Sequence, residues 1–200
     1  MKRRATEQPS NRVTLWTIPN LLTLLRLLLI PVFLVAAFHG RHTLAFVLFL
    51  SAAVTDILDG FIARRFNQRS RVGALLDPFA DKMGMVCGYL FYTLGHGLRV
   101  PIPGWLTFTI FVRDFLIAMF AYLLYTRVKV TRFPPSVPGK ISTMLQAVTL
   151  AAAIAANGFA PQLVWLAELL FRAALLLTLF SAADYLRRAQ RMLYDRLAPQ

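Results

Sequence analysis

The sequence predicts an all-α integral membrane protein with six transmembrane helices and both termini in the cytoplasm. Three observations predict it. Hydrophobic residues make up 58% of the 200 and the mean hydropathy is +0.58, above the ~45–50% apolar content of a soluble domain. Apolar runs of about the 20 residues needed to cross a bilayer recur six times. Lys and Arg gather in alternate gaps between those runs.

The runs lie near 18–39, 43–63, 74–95, 102–125, 141–158 and 162–185. Residues 1–16 form a basic juxtamembrane segment. The long run after it lacks a small-residue cleavage site and is read as a retained span, not a signal peptide. No Pro/Gly/Ser-rich linker, low-complexity tract or repeat divides the chain, so 1–200 is read as one domain. Sixteen cations fall on one side: Lys2, Arg3, Arg4 and Arg12; Arg64, Arg65, Arg69 and Arg71; Arg127, Lys129, Arg132 and Lys140; Arg187, Arg188, Arg191 and Arg196. The opposite loops hold only Arg41 and Arg99, which makes the cation-rich side cytoplasmic.

The net charge of +13 is therefore explained by topology. Its spread over segment ends argues against nucleic acid as a partner. The single Cys87 has no intrachain disulfide partner and reads as packing. His39, His42 and His96 fall on the side away from the aspartates described next, as interfacial residues, and Trp16, Trp105 and Trp165 sit near span ends as interface anchors. Glu168 and Arg172, four apart, are expected to pair on one helix.

Against this apolar background, Asp56 and Asp59 stand near the end of span two and Asp77 and Asp81 near the start of span three. A charge at bilayer depth costs roughly 2.5–3.5 kcal/mol, so four of them need a compensating partner. Spacings of three and four put each pair on one helix face. All four lie within roughly 15 Å of the cytoplasmic boundary at 1.5 Å per residue. Oxygen ligands without nearby Cys or His suit Mg²⁺ or Mn²⁺, and two such ions clamp phosphate oxygens on both sides of a displacement. Small residues at Gly60, Ala63, Gly73 and Ala74 allow a phosphate close to the backbone, with Arg64 suited to hold one of its oxygens. The competing structural reading pairs the acids with Arg64, Lys82 and Arg113. A transporter with a buried acidic ion site is the alternative from another class, but discontinuous helices or an inverted repeat are not evident.

The pattern Asp56-x2-Asp59-Gly60-x2-Ala63-Arg64-x8-Gly73-x3-Asp77-x3-Asp81 resembles the signature of the CDP-alcohol phosphatidyltransferases at all eight fixed positions, a far more specific match than a lone glycine motif. TIPNLLTLLRLLLIPVF (17–33), VRD (112–114) and PGKISTMLQ (138–146) extend the resemblance, the first and last most like the phosphatidylglycerophosphate synthase and single-motif cardiolipin synthase branch. It implies a phospholipid-biosynthesis enzyme that moves the phosphatidyl group of CDP-diacylglycerol to a glycerol-bearing acceptor, glycerol 3-phosphate or phosphatidylglycerol, and releases CMP. Serine or inositol phosphate as acceptor is the alternative within the same chemistry. It further implies a homodimer with Asp56, Asp59, Asp77 and Asp81 at the metals and Asp81 also as general base. Gly60, Ala63, Arg64 and Gly73 would line the CDP site, with Asn20, Thr23 and Arg26 adding polar contacts from span one. Arg113, Arg132 and Lys140 are the candidate holders of the acceptor phosphate. Ala121 and Ser142 stand where the synthases that use glycerol 3-phosphate usually carry further cations, which favours phosphatidylglycerol, so the two acceptors are of equal standing. Ala80, Gly84 and Gly88 form a small-residue stripe expected to let helices approach within the bundle.

Overall fold

The computed structural model describes residues 18–65, 73–128 and 136–197; among the side chains outside that description are those of residues 59–65, 73–75 and 77. Among the described residues there is no strand. The chain runs through α1 (Ile18–Phe38), α2 (His42–Arg65), α3 (Gly73–Leu94), α4 (Gly104–Val128), α5 (Val137–Asn157) and α6 (Val164–Leu197), with one 3-10 turn at Pro161–Leu163.

Two turns at the end away from the aspartates have a physical cause in view. Gly40, at φ 70°, closes α1: its N–H donates to Ala37 O at 3.0 Å and the Arg41 N–H to Ala36 O at 2.9 Å, the paired bonds of a Schellman motif. Between α3 and α4 the side-chain amide of Asn157 acts as a substitute backbone. Its Nδ2 donates to Val100 O at 2.9 Å and its Oδ1 accepts from Val100 N at 3.1 Å. At the other end Ser136 caps α5, accepting from Gly139 N at 3.1 Å, and Pro138 occupies the first turn, where its missing N–H costs nothing.

Among the described residues four stretches are long and apolar enough to cross a membrane: Asn20–Phe38, Gly104–Leu123, Val137–Asn157 and Pro161–Arg191. On α2 the apolar stretch is shorter, His42–Leu58. The expected six spans are thus six long helices of which four meet the apolar criterion. Aspartates interrupt the other two: 56 and 59 on α2, 77 and 81 on α3. Leu28, Val35, Phe108, Phe115, Leu176 and Phe180 are exposed on the outside of the bundle, as lipid-facing residues are.

α5 is the most enclosed helix, with Gln146, Leu150 and Ile154 fully buried. A Cβ on Gly88 of α3 would lie 2.6 Å from Leu150 Cδ2, and one on Gly84 4.0 Å from Ile30 of α1. The small-residue stripe therefore serves contacts inside the bundle. Gln146 donates to Thr178 of α6 at 3.0 Å and to Ser142 at 3.3 Å, and Tyr89 donates to Gln146 O at 2.9 Å. This satisfies the buried polar groups of the seam between α5 and α6.

Candidate active site

A cavity of about 700 Å³ opens among the helices, with Arg26 and Ile30 of α1, Phe49 and Asp56 of α2, Asp81 and Met85 of α3, Arg113 and Ile117 of α4, Gly139, Lys140 and Met144 of α5 and Tyr185 of α6 in its wall. Every helix contributes, including α6, which the sequence had not placed at the site. Its wall is mostly apolar, so the few charged groups in it define its chemistry.

Arg26 is the centre of those charges. Its Nη1 lies 3.0 Å from Asp56 Oδ1 and 2.6 Å from Asp81 Oδ1. The Arg26 side chain is 4% exposed while those of the two aspartates are 45% and 47% exposed. A buried cation is thus balanced by two acids that reach towards the opening, the arrangement a charge in an apolar bundle requires. Asn20 and Thr23, also buried, sit six and three residues before Arg26 on its helical face.

The competing structural pairing of the acids does not hold among the described residues. Lys82 and Arg113 do not serve Asp56 or Asp81; both pair with Asp114, Arg113 at 2.9 Å. Arg113 also donates from Nη2 to Ser181 Oγ at 2.7 Å, and its buried Nε has no hydrogen-bond partner among the described residues. The first turn of α5 presses on this guanidinium, since a Cβ on Gly139 would come within 3.2 Å of Arg113 Nη2. Arg113 is therefore locked in place with donor capacity left over, and Lys140 lines the same cavity.

Ser142 is 1% exposed; it faces Thr178 across the seam between α5 and α6 and accepts from Gln146 one turn along its own helix. Neither it nor Ala121 lines the cavity, so their identities bear less on the acceptor than their positions in the motif suggested. Glu168 and Arg172 form no ion pair with each other, contrary to expectation. His39 and His42 flank the turn between α1 and α2, and His96 lies between α3 and α4, all away from the acids.

Asp59, Gly60 and Ala63 lie on α2 and Gly73 and Asp77 on α3, but their side chains, with that of Arg64, are outside the described residues, as is the whole of Arg132. Asp59 is one turn along α2 from Asp56 and Asp77 one turn along α3 from Asp81. Among the described residues no three acids, histidines or cysteines gather. The two carboxylate oxygens that are described approach one point from different helices, each within 3.0 Å of the same nitrogen. Carboxylate oxygens are the donors a hard divalent cation takes, and here the two described ones are held by Arg26.

A bundle with apolar outer faces that brings aspartates and cations to one cavity defines a membrane protein with a charged site between its helices. The chain belongs to the CDP-alcohol phosphatidyltransferase family, whose model matches residues 16–180. It is 32% identical over 192 residues to a protein of Mycobacterium tuberculosis named probable phosphatidylglycerophosphate synthase, covering 93% of this chain and 88% of that one. It is 37% identical over 186 residues to the CDP-diacylglycerol–glycerol-3-phosphate 3-phosphatidyltransferase of Shigella flexneri, covering 90% and 99%. With the cardiolipin synthase (CMP-forming) of Homo sapiens it shares 36% identity over 160 residues, covering 72% of this chain and 52% of the human protein.

Proposed function

We propose that this chain is an integral membrane enzyme that transfers the phosphatidyl group of CDP-diacylglycerol to a hydroxyl of glycerol 3-phosphate, releasing CMP. The observation that carries it is that Asp56, Arg26 and Asp81 share one cavity with Arg113 and Lys140: acids for phosphoryl transfer beside cations for a second anionic substrate. The relatives matched over most of their length bear names for this reaction.

Asp56, Asp59, Asp77 and Asp81 are the residues that would hold Mg²⁺ or Mn²⁺, two ions in our reading. When bound, such ions offset the charge of the pyrophosphate and of the incoming and leaving oxygens. Asp81 takes the proton from the acceptor hydroxyl as its oxygen bonds to the β-phosphorus and the bond from that phosphorus to the oxygen of CMP breaks. Gly60, Ala63, Arg64 and Gly73, with Asn20 and Thr23, border the CDP moiety. Arg113 and Arg132 hold the acceptor phosphate by paired donors and Lys140 by a point charge.

All six helices span the membrane in this reading, α2 and α3 tolerating their acids because these lie near one surface and face inward. Cation distribution supports placing that surface, both termini and the cavity mouth in the cytoplasm. The chain acts as one domain and as a homodimer.

A second reading, phosphatidylglycerol as acceptor, is favoured by the similarity to the human cardiolipin synthase. Purified protein given CDP-diacylglycerol with glycerol 3-phosphate, phosphatidylglycerol, serine or inositol phosphate in separate reactions tests both. Phosphatidylglycerophosphate is the expected product, its formation stopped by EDTA and restored by Mg²⁺ or Mn²⁺. Cardiolipin alone would select the second reading, product from serine or inositol phosphate alone would overturn both, and EDTA-resistant turnover would remove the metals.

A further inference from the structure

At the end of the bundle opposite the aspartates, the loop between α3 and α4 and the first turns of α6 enclose a recess of about 390 Å³. Arg99, Pro103, Trp105, Glu168, Phe171 and Arg172 line it. Cations are scarce there: Arg41, Arg99 and Arg172 are the ones this end holds among the described residues, and two of the three meet in one hollow.

Arg172 lies eight residues into α6, about 12 Å along the axis, at a depth where a charge needs a counter-ion. Neither Arg99 nor Arg172 has an ion-pair partner among the described residues. A lone arginine at this depth would be a snorkelling side chain. Here a second arginine from a different element and a carboxylate face the same concavity, and the indole of Trp105 marks the headgroup level. Two guanidinium groups and one carboxylate leave a single positive charge, the complement of one phosphodiester. We propose that this recess binds the headgroup of a membrane glycerophospholipid, its phosphodiester held by Arg99 and Arg172 and its hydroxyl or ammonium donor by Glu168.

The full chain with Trp16→Phe and Trp165→Phe leaves Trp105 as the single indole reporter, read by fluorescence in micelles during titration with dihexanoyl phosphatidylglycerol, phosphatidylethanolamine or phosphatidylcholine. We expect saturable changes with the first two, the stronger of them identifying the preferred donor. Phosphatidylcholine, with no donor for Glu168, should need several-fold more lipid. Arg99→Gln and Arg172→Gln should each raise the midpoint at least five-fold while CMP release stays at the parent level, a control for folding. Asp81→Asn should leave the midpoint unchanged. The assignment is overturned by unaltered midpoints in both arginine variants or equal midpoints for all three lipids. A midpoint that shifts with Asp81→Asn, placing the lipid in the acid cavity, or one that follows protein concentration, making the recess a contact between two copies, overturns it as well.

Discussion

Arg26 on α1 holds Asp56 of α2 and Asp81 of α3 on a single guanidinium nitrogen, at 3.0 and 2.6 Å. One cation thus sets the separation of two acids that come from different helices, and it does so from a helix that carries no acid of its own.

Replacing Arg26 by Met keeps the volume and removes the charge. The two carboxylates then repel and lose their common reference point. Because they are half-exposed, we expect folding to survive with a modest fall in thermal stability and turnover to drop about 10- to 100-fold, the scale of one charge-assisted hydrogen bond of ~1.5–3 kcal/mol. Lys at this position should recover part of the loss. Unchanged CMP release in Arg26→Met would show that the bridge positions nothing.

Asp81→Asn preserves shape and a polar contact to Arg26 but cannot accept a proton. A positioned general base contributes roughly 10²–10⁴-fold, so turnover should fall by at least that much while the protein stays folded and inserted, as judged by size exclusion and thermal unfolding. Activity near the parent level would move the base elsewhere.

Gly139→Ala tests how Arg113 is held. The added methyl would lie 3.0 Å from Ser136 Oγ and 3.2 Å from Arg113 Nη2, so the α5 cap or the guanidinium must shift. We expect the KM for the acceptor to rise about tenfold, equivalent to ~1.4 kcal/mol, with the KM for CDP-diacylglycerol little changed. Equal effects on both substrates would argue against Arg113 as a contact of the acceptor alone.

Gly88→Ala probes packing away from the chemistry. Its Cβ would meet the fully buried Leu150 at 2.6 Å, and overpacking of this kind costs typically ~1–3 kcal/mol. Thermal unfolding in detergent should show the loss, with the acceptor KM unaffected; an unshifted transition would mean that α3 and α5 can separate freely at this point.

The helices and the acid pattern were legible because both are periodic. Six apolar runs mark six helices, and spacings of three and four mark faces. α6 was underestimated: its run was read to 185, whereas the helix continues to Leu197, because the arginine-bearing turns beyond 185 stay helical without being apolar. The partner of the acids was not legible. Arg26 lies 30 residues before Asp56 on a helix that otherwise reads as a plain apolar span, and only tertiary packing brings α1 against both α2 and α3. Lys82 is adjacent to Asp81 in sequence, yet it reaches Asp114 on the neighbouring helix instead. For Ser142 the motif offset indicated a position in the site; the direction of its side chain, toward Thr178, depends on how α5 is rotated against α6.

The Asn157 amide grips the main chain of Val100 rather than any side chain. The path of the loop from Gly95 to Pro103 is therefore tied down independently of what its residues display. Such a loop can change its surface from one descendant to the next without loosening the bundle, whereas Asn157 itself has few substitutes: Asp lacks the donor, and Gln would overreach by a methylene.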